Sequence, residues 1–179
     1  MTVNEAIQLL KTKGAQLRAP IELDGVSPMD FTCILANNGV ERDVLDALQI
    51  TFPPDLLTFW TVTESATLFL DSTYGQWGLH IFEPNEAVER TTVFAEERRR
   101  DFWKGDLVLG RFLGDSDLLV VRCSDDEADS GKVLVALPLD PRNDWYNVAN
   151  SFAEFLEKYI AAKGDKFWEN GKGDMHVLS

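Results

Sequence analysis

His80 and His176 are the only histidines of the chain, so any imidazole chemistry falls to one of them. Neither has a cysteine or carboxylate at a recognised metal-ligand spacing, and His80 sits in a short apolar run, which reads as a structural or surface histidine. The acidic stretch Asp125-Asp126-Glu127-Ala128-Asp129 has calcium-binding residue types. It lacks the alternating ligands, central glycine and closing glutamate of a calcium loop, so a solvated turn is expected. Gly114-Asp115-Ser116 places a serine on a turn, with His80 as the available base. An apolar strand-like run follows that turn where a hydrolase nucleophile would need a helix, so no catalytic residue is assigned. No phosphate-binding glycine loop is present. Arg98, Arg99 and Arg100 form a basic run enclosed by Glu96, Glu97 and Asp101, and are expected on a solvated helix face with local ion pairs. Tyr74 and Trp77 lie in a glycine-flanked loop, where large aromatics either fold onto the core or meet a partner.

These residues hang on a central stretch from Asp106 to Leu137. Two apolar runs, Leu107 to Leu113 and Leu118 to Val121, flank Gly114-Asp115-Ser116-Asp117, and a third runs from Val133 to Leu137. Short Val/Leu/Phe runs bounded by turn residues are strands, and the Gly-Asp-Ser-Asp link predicts a hairpin. Thr67 to Leu70 and Leu79 to Phe82 add two more strands, joined by the loop from Asp71 to Gly78.

Helix signals surround them. Thr2 and Glu5 make a capping box ahead of Val3, Ile7 and Leu10. Ser27-Pro28-Met29-Asp30 predicts a second helix with Phe31, Ile34 and Leu35 as its stripe, and Val40, Val44 and Leu48 a short third. Pro54 and Asp55 open a helix facing inward through Leu56, Phe59 and Trp60. Pro84 opens another over Ala87 and Val88. Ser151 caps a last one, carrying Phe152, Phe155, Leu156 and Tyr159, which Gly164 stops. Helices and strands do not alternate strictly, so the expected fold is α+β, a largely antiparallel sheet covered by helices, with extra N-terminal helices. Residues 1–50 are expected as a helical cover or extension, 51–163 as the α+β domain, and 164–179 as a polar tail on which Phe167 and Trp168 dock.

The chain has 179 residues, 45% of them hydrophobic, enough for one sizeable core. Its formal net charge of −13 disfavours nucleic acid and anionic membranes as direct partners and favours a basic one. Cys33 and Cys123 are the only cysteines, which fits a reducing compartment better than a secreted disulfide scaffold. Met1 to Glu5 has no signal-peptide pattern, and no apolar run reaches membrane-spanning length, so a cytoplasmic location is expected. No cofactor or metal is expected.

Several stretches together resemble one family. Pro53-Pro54-Asp55-Leu56-Leu57-Thr58-Phe59 is similar to the "LPxdl..f" helix start of the SMI1/KNR4 (SUKH) superfamily. Gly78 to Ala87 resembles its strand and following helix opening. Val108-Leu109-Gly110 with Gly114 to Val120 resembles its "GxxGxGDxlxxd" core. Gly131-Lys132-Val133 is similar to its next strand, and Ser151 to Leu156 to its "sFxeFL" closing helix. The resemblance runs from about Thr51 to Ile160. It departs at Thr63-Glu64-Ser65-Ala66, where the family often has an Asn-Gly pair. The resemblance implies a non-enzymatic α+β protein-binding module. Bacterial members are commonly immunity proteins that neutralise a toxin, often a nuclease, of a polymorphic toxin system; fungal members are cell-wall and signalling regulators. On that reading an acidic face docks on a basic toxin domain. The expected contact residues are Asp71, Tyr74, Trp77, Glu83, Asp115 and Asp117, all in or beside strand-connecting loops.

Overall fold

The three apolar runs of the central stretch form three neighbouring antiparallel strands. The computed structural model describes residues 1–13 and 31–169. Its elements in chain order are α1 (Val3–Lys13), β1 (Phe31–Leu35), α2 (Arg42–Asp46), α3 (Pro54–Val62), β2 (Ala66–Asp71), β3 (Leu79–Ile81), α4 (Pro84–Glu97), β4 (Asp106–Phe112), β5 (Leu118–Arg122), β6 (Val133–Ala136), a 3-10 turn at Arg142–Asp144, β7 (Tyr146–Ala149) and α5 (Phe152–Ala161). The strands make one seven-stranded sheet in the order β1 to β7, every neighbouring pair antiparallel. A sheet of sequential hairpins with helices laid on it is the α+β arrangement expected from the element order.

Register assigns the two faces. Leu68, Leu79 and Phe112 are cross-strand partners, and so are Ala66, Ile81, Gly110, Leu119 and Val135. This face is closed by α5, whose Tyr159 meets Phe69 and Phe112 edge-on at 5.4 and 6.2 Å. Helix α3 adds Phe59, edge-on to Phe152 at 5.3 Å. Helix α1 packs on α3, α5 and β1, burying Val3, Ala6, Ile7 and Leu10. On the opposite face α4 lies over β4, where Thr91 Oγ1 accepts from the Val108 amide at 2.8 Å.

Local signals hold where two caps were read. Thr2 and Glu5 exchange hydrogen bonds, the Thr2 amide to Glu5 Oε2 and the Glu5 amide to Thr2 Oγ1. Ser151 Oγ accepts from the Glu154 amide, while Glu154 Oε2 accepts from that of Asn150. Past α5, Gly164 takes φ +81°, and its amide donates to Tyr159 O. A Cβ there would stand 2.5 Å from the Phe69 side chain, so both the backbone and the packing call for glycine. Trp168 lies on Phe112 at 5.2 Å, so residues 164–169 lie against the sheet.

The N-terminal reading needs correction. Phe31, Ile34 and Leu35 are not a helical stripe; they lie on strand β1, which pairs with β2. Their spacing also fits five extended residues, and the exposed edge of β2 supplies the ladder that decides it. The cap residues Ser27 to Asp30 lie outside the described residues. Helix α2 buries Leu45, while Val44 is 44% exposed. Strand β7 was not anticipated from Tyr146-Asn147-Val148-Ala149; it completes the open edge of β6. Arg98 is not on a solvated face. It follows the last turn of α4, pairs with Asp101, donates to Leu137 O and Asp140 O, and packs over Trp145.

Candidate protein-binding face

On the face that α4 only partly covers, one cross-strand row crosses six strands: Ile34, Thr67, His80, Arg111, Leu118 and Ala136. Directly opposed residues of antiparallel strands share a face, with Cβ atoms about 5 Å apart, so these six side chains form a continuous strip. Leu118 and Ala136 are buried, His80 and Thr67 are half-buried, and Ile34 is 56% exposed. Where the strip meets α4 it forms the floor of a cleft of about 450 Å³, walled by Phe82, Arg90 and Phe94 and closed by Pro138. The α3 residue Trp60 positions that wall from the core, its indole N–H donating to Phe82 O at 3.1 Å. Gly110 lets β3 and β4 close up beneath it: a Cβ there would stand 2.4 Å from His80 O. Arg90 is held by Glu86 and lies over the Phe82 ring at 5.7 Å.

His80 is structural. Its Nδ1 shares a hydrogen bond with Thr67 Oγ1 at 2.9 Å, and its ring meets Phe82 edge-on. Burial pushes its pKa below the ordinary 6.5; Glu86 opposes this and Arg111 reinforces it. The unfolded chain therefore takes up this proton before the folded chain does. The His80 contribution is at its most favourable above the unfolded value, and it declines as pH falls through the window down to the folded one. An NMR titration of the ring should give a midpoint below 6.5, and Arg111→Gln should raise it. An unchanged midpoint in that variant would show that the guanidinium does not face the imidazole.

The six expected contact residues divide by environment. Tyr74, at the tip of the β2–β3 loop, is 67% exposed, and Gly75 and Gln76 beside it line the cleft. Glu83 is exposed immediately before α4, on a strip shared with Glu86 and Glu89. Asp115 is on the β4–β5 turn, its side chain 45% exposed, between the lining residues Gly114 and Ser116. The other three are turned inward. Asp71 is 3% exposed, its Oδ1 accepting from the Thr73 and Tyr74 amides, so it builds the loop that carries Tyr74. Trp77 is half-buried, its indole N–H donating to Gly164 O at 3.0 Å. Asp117 is 5% exposed and bound by Lys166 at 2.8 Å.

Lys166 escaped the sequence reading, although its neighbours Phe167 and Trp168 were singled out. It is buried and also bonds Asp115, tying the chain after α5 to the β4–β5 turn. Burial works to lower its pKa, but the hydrogen bonds to Asp115 and Asp117 outweigh it, so the ammonium stays charged above its usual range. Burial also raises Asp117, against the pull of Lys166. Arg111 was missed as well. The available signal was a lone cation in the apolar run LVLGRFL, which marks the side of a strand that is not packed against the core.

The remaining chemical candidates have structural positions. Ser116 has φ +69° at the turn, and the His80 Nδ1 is committed to Thr67. In the acidic loop, Asp126 accepts from Ala128, but Asp129 is not simply solvated: it receives Arg122 at 2.7 Å. No group of His, Cys, Asp and Glu among the described residues would hold a metal ion. A second cavity, about 490 Å³, opens at the other end of β5 beside Cys123. Burial pushes that thiol up to about 12, which keeps it protonated and unreactive near neutrality. No helix among the described residues is long and apolar enough to cross a membrane.

A seven-stranded antiparallel sheet backed by helices on one face, with a partly open cleft on the other, defines an α+β domain. The sequence model of the SMI1 / KNR4 family (SUKH-1) matches residues 42–158, and the chain belongs to that family. The match includes α2, ahead of the start at Thr51 read from the motifs. No curated protein matches the chain.

Proposed function

We propose that this chain is a stoichiometric protein-binding module that serves as an immunity protein, blocking a toxin domain by docking on it. Membership of the SMI1/KNR4 family supports a protein-interaction role. The observation that carries the reading is the strip from Ile34 to Arg111 beside α4. It is a partly exposed sheet face with an apolar end and a cation, bordered by the exposed acids Glu83 and Glu89. Tyr74 stands at its rim as an aromatic anchor. The acids on the border and the net charge of −13 attract a basic partner, and the cleft then holds it.

Co-purification with the product of the adjacent gene tests the reading. Retention of a toxin domain, and its loss in Ile34→Asp, are the expected results. A wild-type protein that retains no such partner would remove the immunity reading, and a growth defect of the deletion strain in pure culture would replace it with a regulatory adaptor. Steering by exposed acids has its own signature. Glu83→Lys should slow association several-fold while leaving Tm unchanged, and the difference should shrink as salt rises, because screening acts over about 8 Å at physiological ionic strength. An association rate indifferent to salt would place the recognition in the apolar strip alone.

A further inference from the structure

Three arginines line the cleft: Arg90, Arg98 and Arg111. Two of them are used within the fold. Arg90 is paired with Glu86 and stacked on Phe82, and Arg98 serves Asp101 and two backbone carbonyls. Arg111 makes no hydrogen bond or ion pair with any described residue, although it stands in the floor between His80 and Leu118. Its cross-strand partner Leu118 and the walls Phe82 and Phe94 are apolar, so a cation and an apolar pocket are adjacent. The single acid among the lining residues, Glu97, lies at the C-terminal end of α4 next to Arg98. Outside the cleft the sign reverses: the exposed Glu83 and Glu89 make an acidic rim, while Glu86 and Asp115 are paired with Arg90 and Lys166.

Building on the docking function, we propose that the cleft takes a partner segment presenting a carboxylate beside an aromatic or aliphatic side chain. The carboxylate meets Arg111, and the apolar group fills the space between Phe82, Phe94 and Leu118. Arg111 is exposed and lines the same cleft as Phe82 and Phe94, so its guanidinium can form a charge-assisted pair with a carboxylate while the apolar group beside that carboxylate is buried. The volume, about 450 Å³, lies within the usual range of ligand clefts. Charge complementarity fixes the rest of the partner's chemistry. A uniformly basic segment would place a cation on Arg111, and a uniformly acidic one would be repelled by the rim. The matching surface is therefore basic at its edges, with one acid and an apolar residue at its centre.

The test titrates the isotope-labelled full chain with acetyl-Leu-Asp-Phe-Leu-amide, with its asparagine counterpart, and with 3-phenylpropionate, following backbone amides by NMR. The aspartate peptide should move the amides of Arg111, Gly114, Ser116 and Leu118, and should bind about tenfold tighter than the asparagine peptide. Arg111→Gln should erase that difference at unchanged Tm. Equal affinities for the two peptides, or no shifts at those amides, would overturn the proposal. Binding of 3-phenylpropionate as tightly as the aspartate peptide would replace the protein segment with a free small acid. If the peptides fail while the co-purified toxin is still lost in Ile34→Asp, the docking function stands and only the carboxylate assignment falls. If the peptides discriminate but no toxin is retained, the reverse holds.

Discussion

Asp106→Ala is expected to lower Tm by about 6–20 °C, the largest effect of any single charged residue among the described residues, corresponding to roughly 3–5 kcal/mol for breaking a buried ion pair in a protein of this size. The Asp106 side chain is 1% exposed. It accepts from Arg122 at 2.8 Å, from both Nη atoms of Arg142 and from the Trp103 amide at 2.7 Å. Arg122 and Arg142 are themselves 8% and 10% exposed, so removing the carboxylate leaves Arg142 with no acid to pair with among the described residues and Arg122 with Asp129 alone, at sites that water reaches poorly. Arg142 also stacks over the Trp103 ring at 3.9 Å, which limits its freedom to turn outward. The loss comes from the stranded Arg142 and the half-paired Arg122 rather than from a large net gain by the intact cluster. Replacing the whole cluster with Asp106→Leu, Arg122→Met and Arg142→Met should therefore cost less than Asp106→Ala alone. Thermal melts of the two variants decide the matter; a single mutant within about 2 °C of the parent would show that the cluster contributes little.

Trp60→Ala should be nearly as damaging, at about 3–5 kcal/mol for a fully buried tryptophan. The side chain is 0% exposed, and Phe52 meets it edge-on at 5.2 Å. Two variants separate its two roles. Trp60→Phe keeps most of the ring but leaves the Phe82 carbonyl without its donor, at about 1–3 kcal/mol. Phe82 walls the cleft and precedes α4. Trp60→Phe should thus weaken partner binding at temperatures where the protein is still folded, whereas a purely core role predicts a shift in melting with binding intact. Calorimetric binding well below Tm distinguishes the two.

Much of this architecture was legible in short stretches because its causes are local. The Thr2/Glu5 and Ser151/Glu154 caps involve residues three apart, and the α3 and α5 stripes repeat at helical spacing, so each was readable without a partner element. The β4–β5 hairpin was readable for the same reason. Gly114 at φ +102° and the Asp115 carboxylate receiving the Asp117 amide act within four residues.

What only the tertiary structure decided depends on groups brought together from far along the chain. Three apolar residues within Phe31 to Leu35 satisfy a helix or a strand, and only the free edge of β2, some 35 residues on, selects the strand. Arg98 reads as a surface charge until the Leu137 and Asp140 carbonyls arrive beneath it. Asp117 reads as an exposed turn acid until Lys166, 49 residues later, buries with it. The strip that reaches the cleft at Arg111 and Leu118 follows the same rule. Ile34, Thr67, His80, Arg111 and Leu118 share no local pattern and become neighbours through four strand pairings. Local hydrogen-bonding preference and apolar periodicity determined the elements and the α+β class; strand register, a property of pairs of segments, determined which side chains face a partner.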